Sequence, residues 1–233
     1  MNLIATGNTA EVFDYGNGKI LKLFKDGYDK NAIKMEYKNV AVVNKQGIPS
    51  PKVYKIIHVG KRTGIIYEKI SGNDLLGEVF SNLQNLDVVE KIMTEFTDFH
   101  RDFLSHRSKK CISYKDYLKY FGYPDDGSLP DDDFLCHGDF HFANLMRRGE
   151  EKSLCAIDFM NLCHGPKEYD VARAYVLIVE DILPADMPSE QRKMLIEGKA
   201  VAGKMYLEKM GYTVEQLAPY IPAIEFCRKR EML

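Results

Sequence analysis

The sequence contains no tryptophan, no Cys-x-x-Cys pair, no internal repeat and no low-complexity tract. Its apolar runs all fall well short of the roughly 20 residues that span a bilayer. Five cysteines, an odd number without framework spacing, argue against a disulfide scaffold and point to reduced thiols in a cytoplasmic protein. Charge of either sign is also not in excess. Lys and Arg number 32 against 34 Asp and Glu, for a net charge of −2, so the electrostatic footprint of a nucleic-acid binder is missing. Residues 1–7 do not have the pattern of a signal peptide, and no membrane partner is expected. What is present is 233 residues with 45% hydrophobic content, enough for one globular domain or two joined lobes.

Within that chain one stretch is rich in chemistry: Cys136-His137-Gly138-Asp139-Phe140-His141-Phe142-Ala143-Asn144. Asp139 and Asn144 stand five residues apart, and a second carboxylate follows in Ile157-Asp158-Phe159. Apolar runs end at Cys136 and at Ile157, so two short, adjacent buried strands are expected to deliver these groups to one cleft, with a turn over residues 147–151 between them. An Asp, an Asn and a later Asp in this order suit phosphoryl transfer from a nucleotide. One Asp receives or orients the proton of an attacking hydroxyl, while the other two oxygen ligands hold Mg²⁺ against the phosphates.

This pattern resembles the aminoglycoside phosphotransferase and choline kinase family, small-molecule kinases with a protein-kinase-like fold. Gly138 before the Asp, and Met160 after Asp158-Phe159, favour that branch over protein kinases. Gly165-Pro166 and Tyr169-Asp170-Val171-Ala172-Arg173 look like the family's segment after the metal-binding Asp. The resemblance implies that Asp170 braces the catalytic loop and that His137 anchors it. It implies an α+β, two-lobed fold, with a β-rich nucleotide-binding lobe over residues 1–70 and a mostly helical lobe over 71–233. It also places a phosphate-covering loop at Gly7, Asn8 and Thr9. Backbone groups between Glu68 and Ile70 would take the adenine edge.

The first seventy residues carry their own signals. Gly16-Asn17-Gly18 between apolar runs is a hairpin turn, since Asn and Gly tolerate positive φ. Lys22 sits inside Ile20-Leu21-Lys22-Leu23-Phe24, and a lysine in an apolar strand needs an anionic partner. Residues 28–46 have helical periodicity, with Glu36 on the same stripe as Ile33 and Val40. Lys22 is therefore expected to contact the nucleotide phosphates and to be held by Glu36. Further strands are expected over residues 52–59 and 64–70.

The remainder is helical. Leu86, Val89, Met93, Phe96, His100 and Phe103 repeat at three and four, which places His100 in the core and not in catalysis. Residues 189–210 suggest a helix with Met194, Leu195, Val201, Ala202 and Met205 inward, and Thr213 with Gln216 a capping box. Tyr114, Tyr117, Tyr120, Phe121 and Tyr123 are packing residues first and a cation cage only second. The acids between Asp125 and Asp133 read as a solvated loop before an acceptor-site cluster. The expectation is an ATP- and Mg²⁺-dependent transferase acting on a hydroxyl of a small molecule: an aminoglycoside, a choline-like amino alcohol or a sugar. The alternatives are a small atypical protein kinase and a non-catalytic nucleotide-binding module.

Overall fold

The computed structural model describes residues 1–124, 127–180 and 187–231. Alternating apolar residues build an antiparallel five-stranded sheet from β1 (Asn2–Thr6), β2 (Ala10–Gly16), β3 (Lys19–Phe24), β4 (Val53–Val59) and β5 (Arg62–Glu68), in the order β1-β2-β3-β5-β4. At the β2–β3 turn, Asn17 and Gly18 both have positive φ, 51° and 68°, which is why that pair closes the hairpin. Helix α1 (Lys30–Lys45) packs on one face of the sheet. Its N-cap Asp29 accepts from the Asn31 N–H, and Gly47 turns the chain away with φ 75°.

Side-chain alternation decides what each face of β3 does. Leu21 and Leu23 join Ile66 in a small core on one face. Phe24, Ile65 and Tyr67 join the main core on the other, with Ile20 packed against it and Lys22 between Ile20 and Phe24 on that face.

Helices dominate the rest. They are α2 (Leu75–Ser81), α3 (Leu86–Phe103), α4 (Tyr114–Tyr120), α5 (Lys167–Val179), α6 (Ser189–Met210), α7 (Val214–Leu217) and α8 (Ile221–Glu231). Among them sit β6 (Ile112–Ser113), β7 (Phe134–Cys136) and β10 (Cys163–Gly165) in one small sheet, and the hairpin of β8 (Leu145–Arg148) and β9 (Ser153–Ala156). This is an α+β, two-lobed architecture.

Several local expectations are corrected. The strands before His137 and before Asp158 are not sheet neighbours: β10 occupies the edge of β7, and β8 occupies the edge of β9. Arg147 and Arg148 are strand residues, and the turn lies over 149–152, where Gly149 and Lys152 have positive φ. Leu86 opens α3 but is exposed. In α6, Met194 and Val201 are exposed, while Gly203, Tyr206, Leu207 and Met210 are buried. The cause is Gly203. A Cβ there would come within 2.4 Å of a Val179 methyl, so α5 and α6 approach closely at that point and set which side of α6 faces inward. The capping box of Thr213 and Gln216 is formed. Among the described residues no helix is long and apolar enough to cross a membrane.

Candidate active site

On the cleft side of the sheet, Lys22 Nζ donates to Glu36 Oε1 at 2.9 Å and to Asp158 Oδ1 at 3.0 Å. Glu36 reaches it because position 36 lies on the inner stripe of α1, with only 1% exposure. The Tyr67 hydroxyl donates to the same Oε1 at 2.7 Å, while Glu36 Oε2 is buried without a partner. Burial opposes the Lys22 ammonium, but the Asp158 and Glu36 carboxylates outweigh it and hold its pKa above the ordinary value. Burial raises the Glu36 pKa, a shift that Lys22 only partly reverses.

Strand β7 ends at Cys136 and leads into the loop bearing His137, Gly138 and Asp139. Gly138 has φ 75°, and a Cβ there would lie 2.2 Å from the Asn161 carbonyl oxygen, so only glycine fits. Asn144 Nδ2 donates to the Asp139 carbonyl at 2.9 Å and to its Oδ2 at 3.2 Å. His141 Nε2 lies 3.6 Å from the same Oδ2. Burial would raise the Asp139 pKa, but the His141 ring and then the Arg173 guanidinium outweigh it, so the carboxyl sits well below the usual range. Asp158, next to the end of β9, has φ 61°, a left-handed conformation that Asp tolerates better than most side chains. The Asn144 carbonyl accepts from the Ile157 N–H at 2.9 Å, which brings Asn144 to within one residue of Asp158 along the neighbouring backbone.

His137 links the two loops. Its Nε2–H donates to the Ile157 carbonyl at 3.1 Å, and its Nδ1 accepts from the Asp139 N–H at 3.3 Å. Burial lowers its pKa, which suits the neutral ring that this donor–acceptor pattern needs.

Beneath the loop, Asp170 in the first turn of α5 is fully buried. It accepts from the His137 N–H at 2.9 Å, the Gly138 N–H at 2.8 Å and His100 Nε2 at 3.1 Å. Burial works against the carboxylate, yet these contacts place its pKa below the ordinary value. His100 is a core residue, and its other nitrogen, Nδ1, meets the Tyr206 hydroxyl at 2.8 Å. Arg173, one turn along α5, donates from Nε to the Gly138 carbonyl and from Nη2 to Glu231 Oε1 at 2.7 Å.

The cleft beside Lys22 encloses about 290 Å³. Ile4, Ala5, Val12 and Ile20 line it from the sheet, Val40 from α1, and Met146, Ile157 and Phe159 from the opposite side. Glu68 and Ile70 also line it. Glu68 is an anchor: its Oε2 accepts from the Lys52 N–H and from Arg148 Nη2, and its own N–H donates to the Lys52 carbonyl at 2.8 Å. No backbone group engages the Ile70 N–H among the described residues. Gly7, Asn8 and Thr9 form an exposed turn outside the lining, closed by Gly7 N–H donating to the Ala10 carbonyl at 2.8 Å. Asp139 and Asn144 likewise stand outside the cavity wall.

The aromatic residues around α4 do not form a cage. The Tyr114 hydroxyl donates to the Pro130 carbonyl, and the Tyr117 hydroxyl to Glu231; both rings are buried, and only Tyr120 of this group is largely exposed. Asp132 and Asp133 pair with Arg107, and Asp131 with Lys115. They precede β7, whereas the loop bearing Asp139 follows it, so they lie at the opposite end of that strand. Asp125 and Asp126 fall outside the described residues.

Sequence reasoning missed Asn39, Tyr67, Arg148 and Glu231. Each acts through a partner remote in the chain, and a polar residue on a helix or strand gives no sign of such a partner.

Residues 124–206, well under half of the chain, match the family model described as the phosphotransferase enzyme family. No curated protein matches the chain. Among solved structures it is similar to an aminoglycoside-3'-phosphotransferase of type VIII. That pair has a TM-score of 0.59 and 16% identity over 95% of this chain and 90% of the other. Its fold is that of the aminoglycoside phosphotransferases. A second similar structure is the aminoglycoside phosphotransferase APH(3'')-Id from Streptomyces rimosus in complex with ADP and streptomycin. There the TM-score is 0.57 and the identity 13%, over 93% of this chain and 89% of that one.

Proposed function

We propose that this chain is a phosphotransferase that moves the γ-phosphoryl group of ATP to a hydroxyl of a small molecule. The observation that carries the reading is Lys22, which bridges Glu36 of α1 and Asp158, 136 residues further along. That contact puts a cation and the Asp158 carboxylate at one apolar cleft, and His137 and the Asn144 carbonyl tie the Asp139 loop to the Ile157 backbone next to it.

A nucleotide fits the residues present. The cleft has apolar walls on both sides, and the Ile70 N–H and the carbonyl of Glu68 are the groups proposed for the base edge. The exposed turn of Gly7, Asn8 and Thr9 supplies the N–H groups of Asn8 and Thr9 to the phosphates, which Lys22 clamps. Mg²⁺ also fits: Asp158 offers Oδ2, with Lys22 on Oδ1, and Asn144 offers its amide oxygen, with its Nδ2 turned onto Asp139. When bound, the ion offsets charge that develops on the transferred group.

Asp139 accepts or orients the proton of the acceptor hydroxyl. Its lowered pKa keeps it ionised for that role at neutral pH, and Asn144 and His141 fix its carboxylate. Asp170 and His137 support the loop. The two lobes divide near residue 70, with the nucleotide between residues 1–70 and the hairpin of β8 and β9. The acceptor is an aminoglycoside, a choline-like amino alcohol or a sugar. Streptomycin in the Streptomyces rimosus relative suggests the first of these as the starting point.

The test is ATP turnover by wild type and Asp158→Ala with each acceptor class, alongside thermal stabilisation by nucleotide with and without Mg²⁺. One acceptor should raise turnover in wild type alone. No nucleotide stabilisation under any condition would overturn the reading.

A further inference from the structure

Helix α1 reaches the opposite side of the cleft by two routes, through Lys22, which bonds Asp158, and directly. Glu36 holds Lys22, and Asn39, three residues on and therefore on the same helix face, reaches past it. Asn39 is 2% exposed, and its Nδ2 donates to the Phe159 carbonyl at 2.9 Å and to the Met160 carbonyl at 3.4 Å. These are the two carbonyls immediately after Asp158, whose backbone sits in the left-handed region at φ 61°. A non-glycine residue keeps that conformation only where its surroundings hold it. The Leu162 N–H also donates to the Phe159 carbonyl, at 3.3 Å, so one carbonyl joins α1, the Asp158 segment and the turn that follows.

We propose that Asn39 is a positioning residue for Asp158: by holding the carbonyls of Phe159 and Met160 it fixes the left-handed turn that presents the Asp158 carboxylate to Lys22. One helix thereby sets both partners of the Lys22–Asp158 contact, the lysine through Glu36 and the carboxylate through Asn39. The connection to Mg²⁺ rests on the phosphotransferase reading above; the positional role does not.

The variants are Asn39→Leu, which keeps volume without a donor, and Asn39→Ala, which removes both. Hydrogen exchange in the ligand-free protein should accelerate about tenfold across residues 157–162 in both variants, the ratio given by one lost hydrogen bond of ordinary strength. Exchange in α3 and α5 should stay as in wild type. The Mg²⁺ concentration needed for half of the nucleotide-induced thermal stabilisation should rise by a similar factor, with metal-free nucleotide stabilisation unchanged. Unchanged exchange across 157–162, or acceleration spread evenly over the protein, would overturn the proposal. If nucleotide stabilises not even the wild type, the phosphotransferase reading fails separately and the exchange result still decides the role of Asn39.

Discussion

Glu36 and Asp170 are both buried carboxylates among apolar side chains, yet burial has opposite consequences for them. Asp170 receives two backbone N–H groups and His100 Nε2, divided over both of its oxygens, and its pKa falls. Glu36 receives Lys22 and the Tyr67 hydroxyl on one oxygen, has nothing on the other, and its pKa rises. The difference is one of task. Asp170 has both oxygens engaged and two of its three contacts go to the backbone of His137 and Gly138, so it shapes a loop. Glu36 is held short of full satisfaction and its contact goes to a lysine that is proposed to act on a ligand. A buried charge without full compensation costs stability, and such sites persist where function needs them.

Substitution should separate the two most widely in stability. Asp170→Ala leaves the His137 and Gly138 N–H groups and His100 without their acceptor, and should cost about 3–5 kcal/mol in urea unfolding. Glu36→Gln removes an under-satisfied charge and leaves Lys22 with Asp158, so unfolding should shift by no more than about 1 kcal/mol. Its loss should appear in kcat/KM for ATP instead, by about tenfold or more, as the ion pair of the clamp is reduced to a hydrogen bond from Lys22 to a neutral amide. A destabilised but fully active Glu36→Gln would erase the contrast.

Acid gives the smallest and most discriminating effect. The Asp170 pKa is lowered in the fold, so its contribution is complete above its unfolded value of about 3.9 and is lost as pH falls from there. The Glu36 pKa is raised, so its ionised form burdens the fold at neutral pH and that burden lifts as pH falls through the folded value. The two slopes oppose. Glu36→Gln should therefore lose stability more steeply than wild type on acidification, as pH–urea titration would show.

How legible each part was follows from the same physics. Lys22 and Glu36 stood out because each is a charge in an apolar pattern, and such charges need partners. Asp139, Asn144 and Asp158 stood out by order and spacing. His100 was legible as a core residue from helical periodicity, but not as the partner of Asp170, which is 70 residues away. Asn39 and Glu231 gave no signal at all, since a polar residue on a helix looks the same whether it faces water or a buried carbonyl. The inner face of α6 was misjudged because the close approach at Gly203 outweighed its apolar periodicity.

The most direct measurement is ³¹P NMR of ATP with the acceptor panel and Mg²⁺, in the presence of wild type or Asp139→Asn. The account predicts that wild type converts the γ-phosphorus signal into ADP and a new phosphomonoester. Asp139→Asn should do so about 10²–10⁴-fold more slowly, as the loss of a general base implies. Equal rates in the two proteins, or inorganic phosphate as the only product from both, would contradict it.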